Sequence, residues 1–156
     1  MTTNSGRQFI TFTIGAEEYG FDVMAIREIK GWTMVTELPE MPASMRGVIN
    51  LRGVIVPVFD LRARFTGILT EPSPRHVVVV MAVHGRLLGI LVDAVVDILT
   101  VQPDEIRPVP EVDHGQNHYI QGIVITTGRM VTLLGLDDLF DSQSIAAAHS
   151  VGATAA

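Results

Sequence analysis

The chain has 156 residues, 47% of them hydrophobic, and a mean hydropathy of +0.36. That is enough for one compact body with a sizeable core, whereas half-chains of roughly 65–70 residues would be marginal alone. The formal net charge is −6, Lys30 is the one lysine and there is no cysteine, which argues against nucleic acid or anionic lipid as the main partner and excludes disulfides, thiolate catalysis and cysteine-based metal clusters.

Residues 1–7 are polar, and they and residues 150–156 are expected as disordered tails around a single domain over 8–141. MTTNSGRQ has no apolar core of signal-peptide type. From Phe9 to Gly15 the side chains alternate as in a strand, Gly15 opens a turn, and YGFDV returns as the second strand of a hairpin. Asp22 then predicts an N-cap for a short helix, MAIREI. WTMVTELP reads as extended and stops at Pro39 and Pro42, and PASMRG as one helical turn. VINL and VIVPVFD make a hairpin about Arg52-Gly53, and Pro57 inside the second strand predicts an edge or a bulge. Asp60 predicts a cap for LRARF, and residues 67–75 a linker.

The same grammar then recurs. VVVVMAV, a turn at His84-Gly85 and LLGILV predict a hairpin, and Asp93 predicts the cap of a helix, AVVDIL. These apolar runs are too short to span a bilayer. PDEIRPVPE reads as extended, DHGQNH as an exposed loop, and GIVITTGRMVTLL as a hairpin turning at Thr127-Gly128. LDDLF opens a C-terminal helix that runs toward SQSIAAAH. Two echoes underlie the recurrence. Gly47–Phe65 aligns with Gly122–Phe140 at an offset of 75, and Ile14–Ile29 with Val83–Ile98 at an offset of 69. Gly47/Gly122, Gly20/Gly89 and Ile29/Ile98 are identical pairs, and Glu28 faces Asp97. A duplicated unit implies two similar halves packed as one body. Each has about five short strands, so the fold class is mostly β with small barrels. Their boundaries are open: one subdomain takes about 8–14 with 68–141, or 15–67 in part.

The chain carries no phosphate-binding loop, dinucleotide fingerprint, nucleophile elbow or HExxH. His114 and His118, with Glu111 and Asp113 nearby, read as a metal site or as a polar loop, and Gly115 and Asn117 favour the loop. Glu17-Glu18, Asp104-Glu105 and Asp137-Asp138 read as turn and helix-start residues rather than an acid/base pair. Arg46, Arg52, Arg62 and Arg64 are interleaved with apolar residues, which suits pairing with carboxylates such as Glu28, or a protein-binding surface. No cofactor or metal is expected, and a binding protein fits better than an enzyme.

FITFTIGAEEYGFDVMAIREI followed by LPEMPASMRGVINLRGVIVPVFDLRARF resembles the CheW family of bacterial chemotaxis coupling proteins, and GILVDAVVDIL, IRPVPE and YIQGI extend the likeness from about Phe9 to Phe140. The resemblance implies two five-stranded SH3-like barrels around a shared core. It also implies a non-catalytic cytoplasmic adaptor, recruited to receptor arrays at the inner face of the membrane. Its partners would be the cytoplasmic tip of methyl-accepting chemoreceptors and the regulatory domain of the histidine kinase CheA. Carried over by position, Ile26, Gly47, Val77 and Ile98 would line a receptor groove between the barrels, with Gly47 letting a helix approach the backbone. Glu28 and Arg52 would form a charge pair beside it, and Arg107, Glu111 and Val112 would face the kinase. Met34 and Leu38 are added as apolar residues in an exposed segment. The alternatives are an adaptor of another chemosensory pathway, such as pilus motility or surface sensing, and a β-barrel module for a small ligand or peptide.

Overall fold

The computed structural model describes residues 6–109 and 119–140. Ten strands, two short helices and two single 3-10 turns make up the described chain. The first repeat holds β1 (Arg7–Ile14), β2 (Glu17–Asp22), β3 (Ile26–Gly31), β4 (Met45–Leu51), β5 (Val54–Asp60) and α1 (Leu61–Thr66). The second holds β6 (Val77–Val83), β7 (Arg86–Val92), β8 (Ala94–Val101), β9 (Ile120–Thr126), β10 (Arg129–Leu134) and α2 (Leu136–Leu139). Three hairpins turn on an X-Gly pair with both φ positive, at Arg52-Gly53, His84-Gly85 and Thr127-Gly128. That backbone matches the twist of the flanking strands.

Five strands per repeat were expected, but the sheets do not follow the repeats. One sheet runs β8-β1-β2-β10-β9 and the other β3-β6-β7-β5-β4. Each repeat thus lends its first hairpin to the other repeat's sheet. The exchange is symmetric to the residue. Leu133 pairs with Gly20 in one sheet and Val58 with Gly89 in the other, which are the same positions at offsets of 75 and 69. Ile98 opposite Ile10 repeats Ile29 opposite Val79 in the same way.

The packing follows from the exchange. Val79, Met81 and Val83 join Ile10, Phe12 and Phe21 in a large core between the sheets, while Val78 and Val80 turn inward to a second core in the β3 sheet. Strand β6 is apolar on both faces for that reason, hence VVVV. A third core, in the β1 sheet, contains Phe9, Val124, Val131 and Leu133. Each such side chain, fully buried, contributes about 1.5–3 kcal/mol of transfer free energy.

Several local expectations are corrected. MAIREI and AVVDIL are not helices. Asp22 caps only one 3-10 turn, Val23–Ala25, accepting from the Met24 N–H, and Ile26 onward is β3. Asp93 caps nothing, and Ala94 begins β8. PASMRG contains a turn closed by Met45 N–H to the Pro42 carbonyl, and its end already belongs to β4. Pro57 is neither on an edge strand nor at a bulge, since β5 lies between β4 and β7. Its partner Val48 exchanges both backbone bonds with Thr36 on the far side, and the β7 ladder begins only at Val58, so the missing proline N–H breaks no ladder bond. Asp60 does cap α1, accepting from the Ala63 N–H. The continuation of α2 toward SQSIAAAH lies outside the described residues.

Candidate protein-binding site

The two sheets end on equivalent strands, β3 and β8. Both have a register shift at the same repeat position, at Arg27 in β3 and Val96 in β8. A bulge bends an edge strand and disrupts its pairing pattern, which discourages strand addition. Two residues after each bulge an isoleucine projects into solvent: Ile98 is 56% exposed and Ile29 44%. Their ladder partners Ile10 and Val79 belong to the core between the sheets, and directly opposed residues share a face. Each isoleucine therefore continues the inter-sheet core outward. Ile98 was expected from the sequence. Ile29 was not, although the repeat already paired the two.

Ile26 and Val77 are partly buried and pack against the inter-sheet core. The structure does not set them side by side, because Ile26 pairs with Met81 and Val77 with Gly31, at opposite ends of the β3–β6 ladder. Gly47 also answers to a constraint inside the chain. A Cβ there would collide with the Thr36 carbonyl of the same chain, and its φ is +148°. The close approach that glycine permits is made by the chain's own segment, where Thr36 bridges to Val48. Gly122 repeats this. A Cβ there would strike the Ile106 side chain, beside the bridge from Arg107 to Ile123. Each bridge ties the segment leaving one margin of a sheet to the strand at its other margin, β4 or β9.

Glu28 and Arg52 are brought together. The Arg52 Nη2 donates to Glu28 Oε1 at 2.7 Å, from the β4–β5 turn to β3, across the gap between the sheet's first and last strands. The Arg52 hydrogen bond holds the Glu28 carboxyl below its ordinary range. The other sheet has its own version, which the sequence reading missed. Asp97 on β8 stands where Glu28 stands, and Arg129 on β10 reaches it at 3.7 Å. Arg129 also grips Glu18 with two bonds, of 3.1 and 2.5 Å. The signal was there: the echo put Asp97 opposite Glu28.

A polar cluster joins the repeats. Asp60 is fully buried and accepts from Arg46 at 3.1 Å, from the Ala63 N–H, and from both the N–H and the hydroxyl of Thr70. Thr70 in turn accepts from Arg62, whose guanidinium donates to both oxygens of Asp93 at 2.6 Å. Asp93 lies where the chain leaves one sheet for the other, and it also accepts from the Gly15 N–H. Burial pushes its carboxyl up, but the Arg62 and Gly15 bonds and the charges of Arg62 and His76 outweigh that, leaving it below its ordinary value. The arginines suspected of pairing do so, except Arg64, which lies over the Tyr119 ring.

Of the residues expected to face the kinase, Met34 is 89% exposed, while Leu38 is half-buried and packs against the inter-sheet core. The Arg107 side chain is exposed while its backbone forms the bridge to Ile123. Glu111 and Val112 lie outside the described residues, as does the His114/His118 pair. Among the described residues no group of three or more histidine or acidic side chains could hold a metal, and no helix is long and apolar enough to cross a membrane.

Two exchanged sheets with apolar, bulged edges define a duplicated β protein whose open surface suits another protein chain. Comparison with known proteins supplies the family. Residues 8–144 match the family model described as a CheW-like domain. The chain is 44% identical to a chemotaxis protein CheW of Rhizobium meliloti, over 94% of this chain and 95% of that one. It is 37% identical to a chemotaxis protein CheW of Klebsiella aerogenes, over 94% and 89%. The crystal structure of the scaffolding protein TtCheW from Thermoanaerobacter tengcongensis superposes with a TM-score of 0.79 at 31% identity, covering 89% of this chain and 95% of that one. The chain belongs to the CheW family.

Proposed function

We propose that this CheW-family chain, a chemotaxis adaptor, holds the cytoplasmic tip of methyl-accepting chemoreceptors and the regulatory domain of the histidine kinase CheA in one complex. It does so at the inner face of the cytoplasmic membrane and performs no chemistry of its own. The observation that carries this reading is Ile98, an apolar side chain more than half exposed on a bulged edge beside the inter-sheet core. An exposed aliphatic that continues a core outward suits the apolar face of a partner helix, and a receptor tip is a helical hairpin. Ile26 and Val77, at the margin of the same core, extend the surface on the other sheet. Glu28 and Arg52 fix the hairpin beside it. The kinase would meet Arg107 and Met34, both exposed, and the family resemblance adds Glu111 and Val112, with Leu38 proposed as a further apolar contact. A soluble receptor-hairpin fragment and the kinase regulatory domain are titrated separately against the full chain. Saturable binding of each, with neither displacing the other, is the expected result. Mutual displacement would show one shared site and sink the scaffold reading.

A further inference from the structure

We propose that Glu18, Arg129 and Asp97 form a clamp that positions edge strand β8, so that Ile98 is presented to the partner helix while the strand edge stays closed to strand addition. This rests on the reading of Ile98 given above. The two bonds it donates to Glu18 fix the guanidinium of Arg129 in a fork, and its remaining nitrogen, Nη1, lies 3.7 Å from Asp97 Oδ2 on β8. The other oxygen, Asp97 Oδ1, accepts from the Ile98 N–H at 2.7 Å. That occupies a backbone donor that an incoming strand would otherwise use. The Asp97 carbonyl is held from the neighbouring strand by the Thr11 hydroxyl at 3.3 Å. Asp97 is thus tied down on both sides, immediately between the bulge at Val96 and Ile98. The Arg129 hydrogen bond keeps Glu18 below its ordinary carboxylate range, so the fork is charged at neutral pH. In the other sheet the corresponding Arg52 comes from a turn and its side chain is 73% exposed, against 32% for Arg129. Two charges held by a third in a fixed fork lose less freedom on pairing than an exposed pair.

Arg129→Ala, Asp97→Asn and the double variant test this in the full chain. Asp97→Asn keeps an oxygen for the Ile98 N–H and removes only the charge that Arg129 meets. Binding of the receptor-hairpin fragment and of the kinase regulatory domain is measured, with amide exchange across residues 96–100. Arg129→Ala is expected to weaken receptor binding about tenfold, to leave kinase binding within about twofold, and to speed exchange in that segment. The double variant should be no weaker than Arg129→Ala, because Asp97 acts through Arg129. Receptor affinity within about twofold of wild type, or an equal loss for both partners with exchange faster throughout, overturns the clamp. If the wild-type chain does not bind the hairpin fragment, the functional reading fails. The clamp itself then stands or falls on exchange in residues 96–100, and unchanged rates there overturn it.

Discussion

The Asp60 carboxylate accepts four hydrogen bonds, from Arg46, Ala63 and twice from Thr70, without exposing any surface. Removing it takes the counter-charge from a mostly buried guanidinium, which keeps only the Thr70 carbonyl at 2.8 Å, and leaves two donors of Thr70 without their acceptor. Breaking a buried pair costs about 3–5 kcal/mol, and the partial exposure of Arg46 puts Asp60→Ala near 3 kcal/mol by urea denaturation. A loss under about 1 kcal/mol would mean that water replaces these contacts. Asp93 makes a separate prediction about pH. Its carboxyl is depressed in the folded chain, so its contribution to stability is present above the unfolded value, near about 4, and is lost as pH falls through the lower folded value. The stability gap between wild type and Arg62→Met should therefore be widest near neutrality and narrow as acid protonates the Asp93 carboxyl in the folded chain. A gap that is constant with pH would show that Arg62 acts by packing and its Thr70 bond, without the Asp93 charge. At this scale the sequence was read well where one residue has one local role, as with Asp60 capping α1. It was read poorly where a side chain answers to distant chain. Asp93 looked like a cap because a strand preceded it, yet its partners come from residue 62 and residue 15. Gly47 was read only as a docking point, while its missing side chain also makes room for Thr36.

On the proposed reading, binding depends on the edges β3 and β8. Ile98→Asp places a charge where the proposed function docks an apolar helix face. Because Ile98 is already 56% exposed, the unfolding midpoint should stay within about 2 °C of wild type, while receptor-fragment binding weakens by more than about tenfold. A large drop in the midpoint would make Ile98 a core residue and withdraw it from the site. Ile29→Asp, its counterpart, measures whether the β3 edge takes part, since the repeat makes it equivalent and its exposure permits it. These two strands were also the elements most misread. MAIREI and AVVDIL are short and apolar, an acid stands just before them, and Met, Ala, Leu and Glu favour helix. The ladders with β6 and β1 override that preference, and burial in β3 alternates residue by residue as strand geometry requires. The hairpins were legible because a turn of two residues with positive φ leaves a local mark, X-Gly, between apolar runs. A bulged edge leaves no such mark.

For the molecule as a whole, the exchange of hairpins matters more than the duplication. Two halves were legible in the echoes, but which half supplies which strand was not, because both arrangements leave the same local pattern. With β1 and β2 inserted between β8 and β10, and β6 and β7 between β3 and β5, neither repeat can complete its own sheet. Residues 1–75 and 76–156 made separately should each be unfolded by circular dichroism, and made together should assemble with the sheet signature of the intact chain. A folded single fragment would contradict the exchange. The same exchange locks the two edges into one body, a fixed geometry that suits the proposed role of one chain between two partners. The measurement that tests this most directly is co-sedimentation of the chain with receptor-containing membranes, with and without the cognate CheA-type kinase. Kinase that pellets only when this chain is present is the predicted result. A chain that stays in the supernatant in both cases, or kinase that pellets equally without it, would contradict the adaptor role at these receptors.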